Sequence, residues 1–256
     1  MKLRDKVIIV TGSTSGIGRA IAERAVAEGA RVLIHGIDRT AGENVVAELG
    51  ASAALHLDDL IDPESTTRIV AAAVAAFGKV DAIVNNAALV ARSTLATTTT
   101  EFFDRMMAVN VRAPLLLIQA AFAELKRNEG CVLNIGSINA LSGEATLLDY
   151  SISKGALQTL SRNLANAHAH EKVRVNHFNV GWVLTEREQA LQVSDGQPVN
   201  WSQRLPASVA PAGRLLTPEE IAAASVYWLS DESRPVNGVV LELEQFSIHG
   251  RNPVKV

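Results

Sequence analysis

Several common function classes are excluded by what this chain lacks. Its one cysteine, Cys131, rules out an intrachain disulfide and fits a reducing compartment. Basic residues number 24 against 27 acidic ones, with the signs interspersed and a net charge of −3, so there is no basic footprint for nucleic acid. After a charged opening, only the four residues Val7 to Val10 form an unbroken apolar run, too few for the core of a signal peptide. No run approaches the roughly 18 apolar residues of a membrane span, since Ala113 to Ala121 is already interrupted by Gln119. The six histidines are scattered and show no metal-ligand spacing such as His-Glu-x-x-His. Aromatic residues are scarce at 4%, yet 48% of the 256 residues are hydrophobic, enough for a sizeable core. The expectation is a cytoplasmic protein without metal, membrane or nucleic-acid partners.

What is present is a strand–helix rhythm. Val7 to Val10 reads as a buried parallel strand, because it is apolar without alternation. Arg31 to His35, Ala53 to Leu57, Val80 to Val84, Cys131 to Ile135, Val173 to Asn179 and Val239 to Leu243 supply six more. Helices are predicted between them. One is expected to open at Asp62-Pro63-Glu64 and stop at Gly78, with Asp as cap and Pro in the first turn. Another spans about Thr100 to Arg127 and is expected to be bent or divided at Pro114. A third runs from about Tyr150 to His170, and a capping box at Thr217-Pro218-Glu219-Glu220 opens the last. Alternating strands and helices give a doubly wound parallel sheet covered on both faces. The predicted fold is α/β and Rossmann-like, one domain over residues 1–256, with a long, weakly periodic segment at about 182–214.

Two stretches carry chemistry. Thr11 to Gly18, with Gly12, Gly16 and Gly18, follows a strand and opens a helix. Glycine there permits a tight turn, and the helix N-terminus offers free N–H groups to a phosphate. The second stretch is Tyr150-Ser151-Ile152-Ser153-Lys154. Tyrosine and lysine at that spacing share one helix face, and an ammonium beside a phenol favours its charged form, a device for moving a proton.

In this order the motifs resemble the short-chain dehydrogenase/reductase family, in its branch of about 250 residues, over the whole chain. Thr11 to Gly18 matches its cofactor turn, and Asn85-Asn86-Ala87 its Asn-Asn-Ala-Gly motif. Asn110, Ser137, Tyr150 and Lys154 match its catalytic tetrad; Val175-Asn176, Gly181 and Thr185 match the segment on the nicotinamide side. The resemblance implies hydride transfer between a nicotinamide cofactor and a secondary alcohol or ketone. Tyr150 would be the general acid or base, and Lys154 would lower its pKa and hold the ribose. Ser137 would bond the substrate oxygen, and Asn110 would hold a relay water. It also implies cofactor contacts at Gly12, Ser15, Gly16, Ile17, Gly18, Asp38, Asp59, Leu60, Asn86, Ala87, Tyr150, Lys154, Gly181, Val183 and Thr185. A homo-oligomer, tetramer or dimer, is expected on the same ground.

The chain departs from the family pattern at Ala88, at Val180 where Pro is usual, and at Glu244-Gln245-Phe246 where Asp-Gly-Gly is usual, with a tail to Val256. The second strand ends in Gly36-Ile37, with neither the acid that selects NAD nor the arginine that selects NADP. Asp38 follows late with Arg39 beside it, which leans the choice to NAD over NADP. The 182–214 segment corresponds to the substrate lid. Its Trp182 and Trp201 stand among amides and charges, which suggests a small polar substrate such as a sugar, polyol or hydroxy acid. A 3-oxoacyl-type ketoreductase and a catalytically silent dinucleotide sensor are the alternatives.

Overall fold

Apolar runs without polar alternation need cover on both faces, and the computed structural model, which describes residues 1–249, shows where the cover comes from. The strands among the described residues are β1 (Val7–Val10), β2 (Arg31–Gly36), β3 (Ala53–Leu57), β4 (Ala82–Asn85), β5 (Cys131–Ile135), β6 (Arg174–Val180) and β7 (Val240–Leu243). They form one sheet in the order β3-β2-β1-β4-β5-β6-β7, and neighbouring strands pair parallel throughout. This is the Rossmann-like doubly wound arrangement that the sequence predicts. The chain reverses direction across the sheet between β1 and β4, so the crevice beyond their carboxyl ends is where such sheets bind ligands.

Side chains at alternate strand positions divide into two layers. Ile8, Val10, Val32, Ile34, Val84 and Leu133 pack on one face under α1 (Gly16–Ala27), α2 (Arg39–Leu49) and α9 (Pro218–Leu229). Ile9, Leu33, Ile83, Val132 and Val175 face the other way, under α3 (Ser65–Phe77), α5 (Ala113–Arg127) and α7 (Leu148–Ala167). Cys131 is buried in the first layer, a small apolar filler.

Three sequence expectations need correction. Asp62-Pro63-Glu64 does not open α3; Asp62 folds into a turn, its Oδ1 accepting from Glu64 N at 3.0 Å, and the helix begins at Ser65. Pro114 does not divide the long helix. It lies in the first turn of α5, after the interruption. The interruption is a π-helical turn, Ala108–Arg112, between α4 (Thr100–Met107) and α5. The run Thr100–Arg127 is, finally, long enough to cross a bilayer and contains an 18-residue window of mean hydropathy 1.5. It is nonetheless a core helix: Leu117, Ile118, Ala121 and Leu125 pack on the sheet. Residues 250–256, the end of the predicted tail, lie outside the described residues.

Candidate active site

The turn after β1 is built for close backbone approach. Gly12 and Gly16 take φ of +62° and +55°, which favour glycine. A Cβ on Gly18 would stand 2.3 Å from Gly12 O and 2.4 Å from Asn86 Nδ2, so only glycine lets α1 start this near the turn. Ser15 precedes α1 in extended conformation without a side-chain cap bond, leaving the N–H groups of Gly16, Ile17 and Gly18 at the free helix end. Asn86 and Ala87, after β4, brace the turn. Asn86 Nδ2 donates to Thr11 O at 2.9 Å and Gly12 O at 3.1 Å, and Ala87 N donates to Thr11 Oγ1 at 3.1 Å. Asn86 therefore spends its amide nitrogen on the turn itself. A phosphate-bearing dinucleotide fits this cradle, where any Cβ at Gly18 would intrude.

The four tetrad residues come from three stretches, the π turn, the loop after β5 and α7, that meet at the carboxyl edge of β4 and β5. Lys154, 2% exposed on α7, donates from Nζ to Ile135 O at 2.8 Å, 5.5 Å from the Tyr150 ring centroid. Burial lowers its pKa to about 8. Tyr150 lies one turn earlier on the same face. Burial pushes its pKa up to about 12; a hydrogen bond with Ser137 works downward, and the Glu188 charge upward. Burial is the largest of these influences on the phenol. Ser137 follows β5. Its loop is tied to β6 by Gly136 N to Phe178 O at 2.6 Å and Ile138 N to Val180 O at 3.1 Å.

Asn110, inside the π turn, is 1% exposed and fully engaged. Its Oδ1 accepts from Leu89 N at 2.8 Å, while Nδ2 donates to Leu89 O at 3.0 Å and to Ser153 Oγ at 2.9 Å. Pro114, four residues on, has no N–H to give the Asn110 main-chain carbonyl.

At the adenosine end, Gly36 has a steric reason: a Cβ would stand 2.6 Å from Thr14 Cγ2 and 2.9 Å from Thr14 Oγ1. Ile37 is exposed, Asp38 caps α2 by accepting from Ala41 N at 3.0 Å, and Arg39 pairs with Glu43 at 3.4 Å. Asp59 is exposed after β3, with Oδ1 accepting from Ile61 N at 2.9 Å. Leu60 turns its side chain into the core, which leaves only its backbone for a ligand. Beyond β6, Gly181 lies against Glu244, whose Oε2 a Cβ would meet at 2.0 Å. Val183 is buried and bridges to Leu216. Thr185 Cγ2 comes within 3.4 Å of a Cβ on Gly16, so this segment and the glycine turn adjoin.

The lid contains α8 (Glu186–Ser194) and a short 3-10 turn, Trp201–Arg204. Trp182 and Trp201 stack at 5.2 Å, and Trp201 is 4% exposed, so it is the lid's core rather than an open contact. Arg92 ties the far end of α8 through Asp195 at 2.5 Å and also donates to Thr146 at 3.2 Å. Among the described residues no cluster of His, Cys, Asp or Glu could hold a metal ion.

Sequence reasoning missed the polar layer under the site. Asn85 Nδ2 donates to Asn134 Oδ1 at 2.8 Å, and Asn134 Nδ2 donates to Ser161 Oγ at 2.8 Å. His177 lies 3.0 Å from Ser161 Oγ and 3.0 Å from Asn179 Oδ1, and Asn179 Nδ2 donates to Gln158 Oε1 at 2.7 Å. His177 packs so closely on Gly136 that a Cβ there would meet Nε2 at 2.0 Å, which fixes the approach to Ser137. The signal was available: His177 and Asn179 break the apolar reading of β6 at alternate positions. Burial drives the His177 pKa down to about 3 and the His35 pKa to about 4.

A dinucleotide cradle beside a Tyr–Lys–Ser constellation, on a doubly wound sheet, defines a nicotinamide-dependent oxidoreductase acting on CH–OH groups. Residues 12–244 match the family model described as enoyl-(acyl carrier protein) reductase. The 2-(S)-hydroxypropyl-CoM dehydrogenase 3 of Xanthobacter autotrophicus is 34% identical over 95% of this chain and 96% of its own length. A 3-oxoacyl (acyl-carrier-protein) reductase from Agrobacterium tumefaciens, solved with NADP bound, superposes with a TM-score of 0.85 at 29% identity, over 94% of this chain and 93% of its own. A 3-ketoacyl-(acyl-carrier-protein) reductase from Brucella melitensis, complexed with NADH, gives 0.83 at 30% identity, over 94% and 97%. The chain belongs to the short-chain dehydrogenase/reductase family. It is an NAD(P)-dependent enzyme that moves a hydride between cofactor and a secondary alcohol or ketone.

Proposed function

We propose that the chain interconverts a small polar secondary alcohol and its ketone, with NAD preferred over NADP. The observation that carries the reading is the buried Lys154 ammonium, bonded to Ile135 O beside the Tyr150 ring, with Ser137 at the phenol. When bound, the nicotinamide gives or takes the hydride and, oxidised, adds a positive charge. Tyr150 takes the alcohol proton in oxidation and returns it in reduction. Ser137 holds the substrate oxygen, where charge develops. Lys154 fixes the ribose, and the Asn110 carbonyl holds a water through which the lysine exchanges protons with solvent. Gly12, Ser15 to Gly18, Asp38, Asp59, Leu60, Asn86, Ala87, Gly181, Val183 and Thr185 line the dinucleotide.

The preference for NAD rests on the adenosine end. Arg39 is exposed and paired with Glu43, and Asp38 is ionisable and close by; a 2′-phosphate there gains no dedicated cation. Steady-state kinetics with both cofactors test this: kcat/KM clearly higher with NADP would overturn it, and Ile37→Arg should shift the ratio toward NADP. The small polar substrate rests on the lid, whose two tryptophans stack on each other among amides and charges. The acyl-carrier relatives support 3-oxoacyl reduction as a second reading, and a screen that includes an acetoacetyl thioester beside polyols, sugars and small ketones separates the two. The protein acts as a cytoplasmic homo-oligomer, tetramer or dimer, which light scattering tests.

A further inference from the structure

We propose that His177 is a positioning residue for catalysis: one buried ring against which both halves of the site are registered, the loop that carries Ser137 and the helix that carries Tyr150 and Lys154. The proposal rests on the reading of Tyr150 and Ser137 as the groups that handle the substrate's proton and oxygen.

A fully buried histidine needs a partner at each ring nitrogen. β6 is buried along its whole length, and His177 lies between Asn134 of β5 and Val240 of β7. Alternation puts it on the same face as Val175, under α7. Burial holds the ring neutral, with a pKa of about 3, so it has one N–H and one acceptor nitrogen. Asn179 Nδ2 donates to Gln158 Oε1 at 2.7 Å, which leaves Asn179 Oδ1 to accept from His177 Nε2 at 3.0 Å. Nδ1 is then the acceptor. Ser161 Oγ, 3.0 Å away, turns its hydroxyl there rather than to Leu157 O at 2.8 Å. Both nitrogens are held, and the ring is fixed.

Each side of the ring leads to the site. Gln158 and Ser161 stand four and seven residues after Lys154, so they share one face of α7 with it and with Tyr150. Their bonds to Asn179 and His177 set the rotation and depth of that face against β6. On its other side the ring presses on the chain after β5. A Cβ on Gly136 would meet His177 Nε2 at 2.0 Å, Cε1 at 2.6 Å and Phe178 O at 2.8 Å, so the backbone lies directly on the ring and on its strand. Gly136 stands between two working residues. Ile135 O accepts from Lys154 Nζ at 2.8 Å, and Ser137 is hydrogen-bonded with Tyr150. Removing the ring leaves a void under Gly136 and frees α7 from the same point. The lysine's anchor and the serine's hydroxyl then move relative to the phenol, and a misplacement of ~1 Å costs up to about 100-fold in rate.

His177→Ala, His177→Gln and Ile69→Ala test this in the full chain; the last opens a cavity on the same face of the sheet, under α3 and away from the site. Hydrogen–deuterium exchange of the cofactor-free proteins is followed by mass spectrometry, NADH binding by fluorescence titration, and turnover with NAD and propane-1,2-diol. His177→Ala should speed exchange at residues 136–138 more than in β1. It should lower kcat about tenfold or more, with NADH Kd changed far less. His177→Gln, which keeps a donor toward Asn179, should recover part of kcat, and Ile69→Ala should keep nearly all of it. Exchange at 136–138 no faster than in β1, an unchanged kcat, a kcat loss matched by lost NADH affinity, or an equal loss in Ile69→Ala would each overturn the proposal. A wild type inactive on the diol leaves the exchange result to decide the proposal, and counts against the small polar substrate instead.

Discussion

Replacing Lys154 by Met should stabilise the cofactor-free protein while removing its function. The buried ammonium has its pKa lowered from 10.5 to about 8 by burial, and at ~1.36 kcal/mol per tenfold this is about 3 kcal/mol of penalty for holding the charge. Methionine fills a similar volume without the charge. The bond to Ile135 O is lost, at a cost of about 1–2 kcal/mol, so the net gain at pH 7 is about 1–2 kcal/mol. The pH dependence separates this from ordinary repacking. Below about pH 8 lysine is protonated in both states, and the penalty is constant. Between about 8 and 10.5 the unfolded chain binds the proton that the folded chain has lost, so wild-type stability rises with pH. By pH 10 most of the penalty is gone, and the variant should be no more stable than wild type. Urea unfolding at pH 7 and pH 10, at fixed ionic strength, measures both differences. A variant less stable at pH 7, or an advantage independent of pH, would refute the burial argument. Turnover and cofactor affinity should fall together; a change in substrate KM alone would remove the ribose-holding role.

Tyr150→Phe deletes only the hydroxyl and should lower kcat by at least about 10²–10⁴-fold, with nucleotide titration showing near-normal cofactor binding; wild-type turnover would end the mechanism. Gly18→Ala forces a methyl to 2.3 Å from Gly12 O, so cofactor Kd should rise about tenfold or more, checked by fluorescence titration with circular dichroism for the fold. His177, driven to about 3 by burial, is neutral when folded and protonated when unfolded between about pH 3 and 6.5. Its contribution is present above pH 6.5 and fades on acidification, by about 2 kcal/mol between pH 7 and 5. His177→Gln should lose that much less, as denaturant midpoints at the two pH values will show.

Much of this protein was legible in local pattern. Strand runs such as Ala53–Leu57 and Cys131–Ile135 are bounded as read, because short, mostly apolar runs between turn residues suit strands of a covered parallel sheet. The capping box at Thr217 is formed as its spacing implies, since a cap is a contact between near neighbours. The same locality misled at Asp62-Pro63-Glu64, where a side-chain turn competed with the helix start.

Residue types alone determined the sheet, the glycine turn and the Tyr–Lys face, each set by spacing within one element. Tertiary structure decided the rest. Asn110 lies in a π turn, where Leu89, from a distant loop, takes both ends of its amide. Glu188 Oε1 accepts from Trp182 Nε1, and Trp182 N is held in turn by Glu244, just past β7. The pKa values of Tyr150 and Lys154 move with burial more than with each other. Desolvation depends on everything packed around a group, and chain spacing carries no record of it.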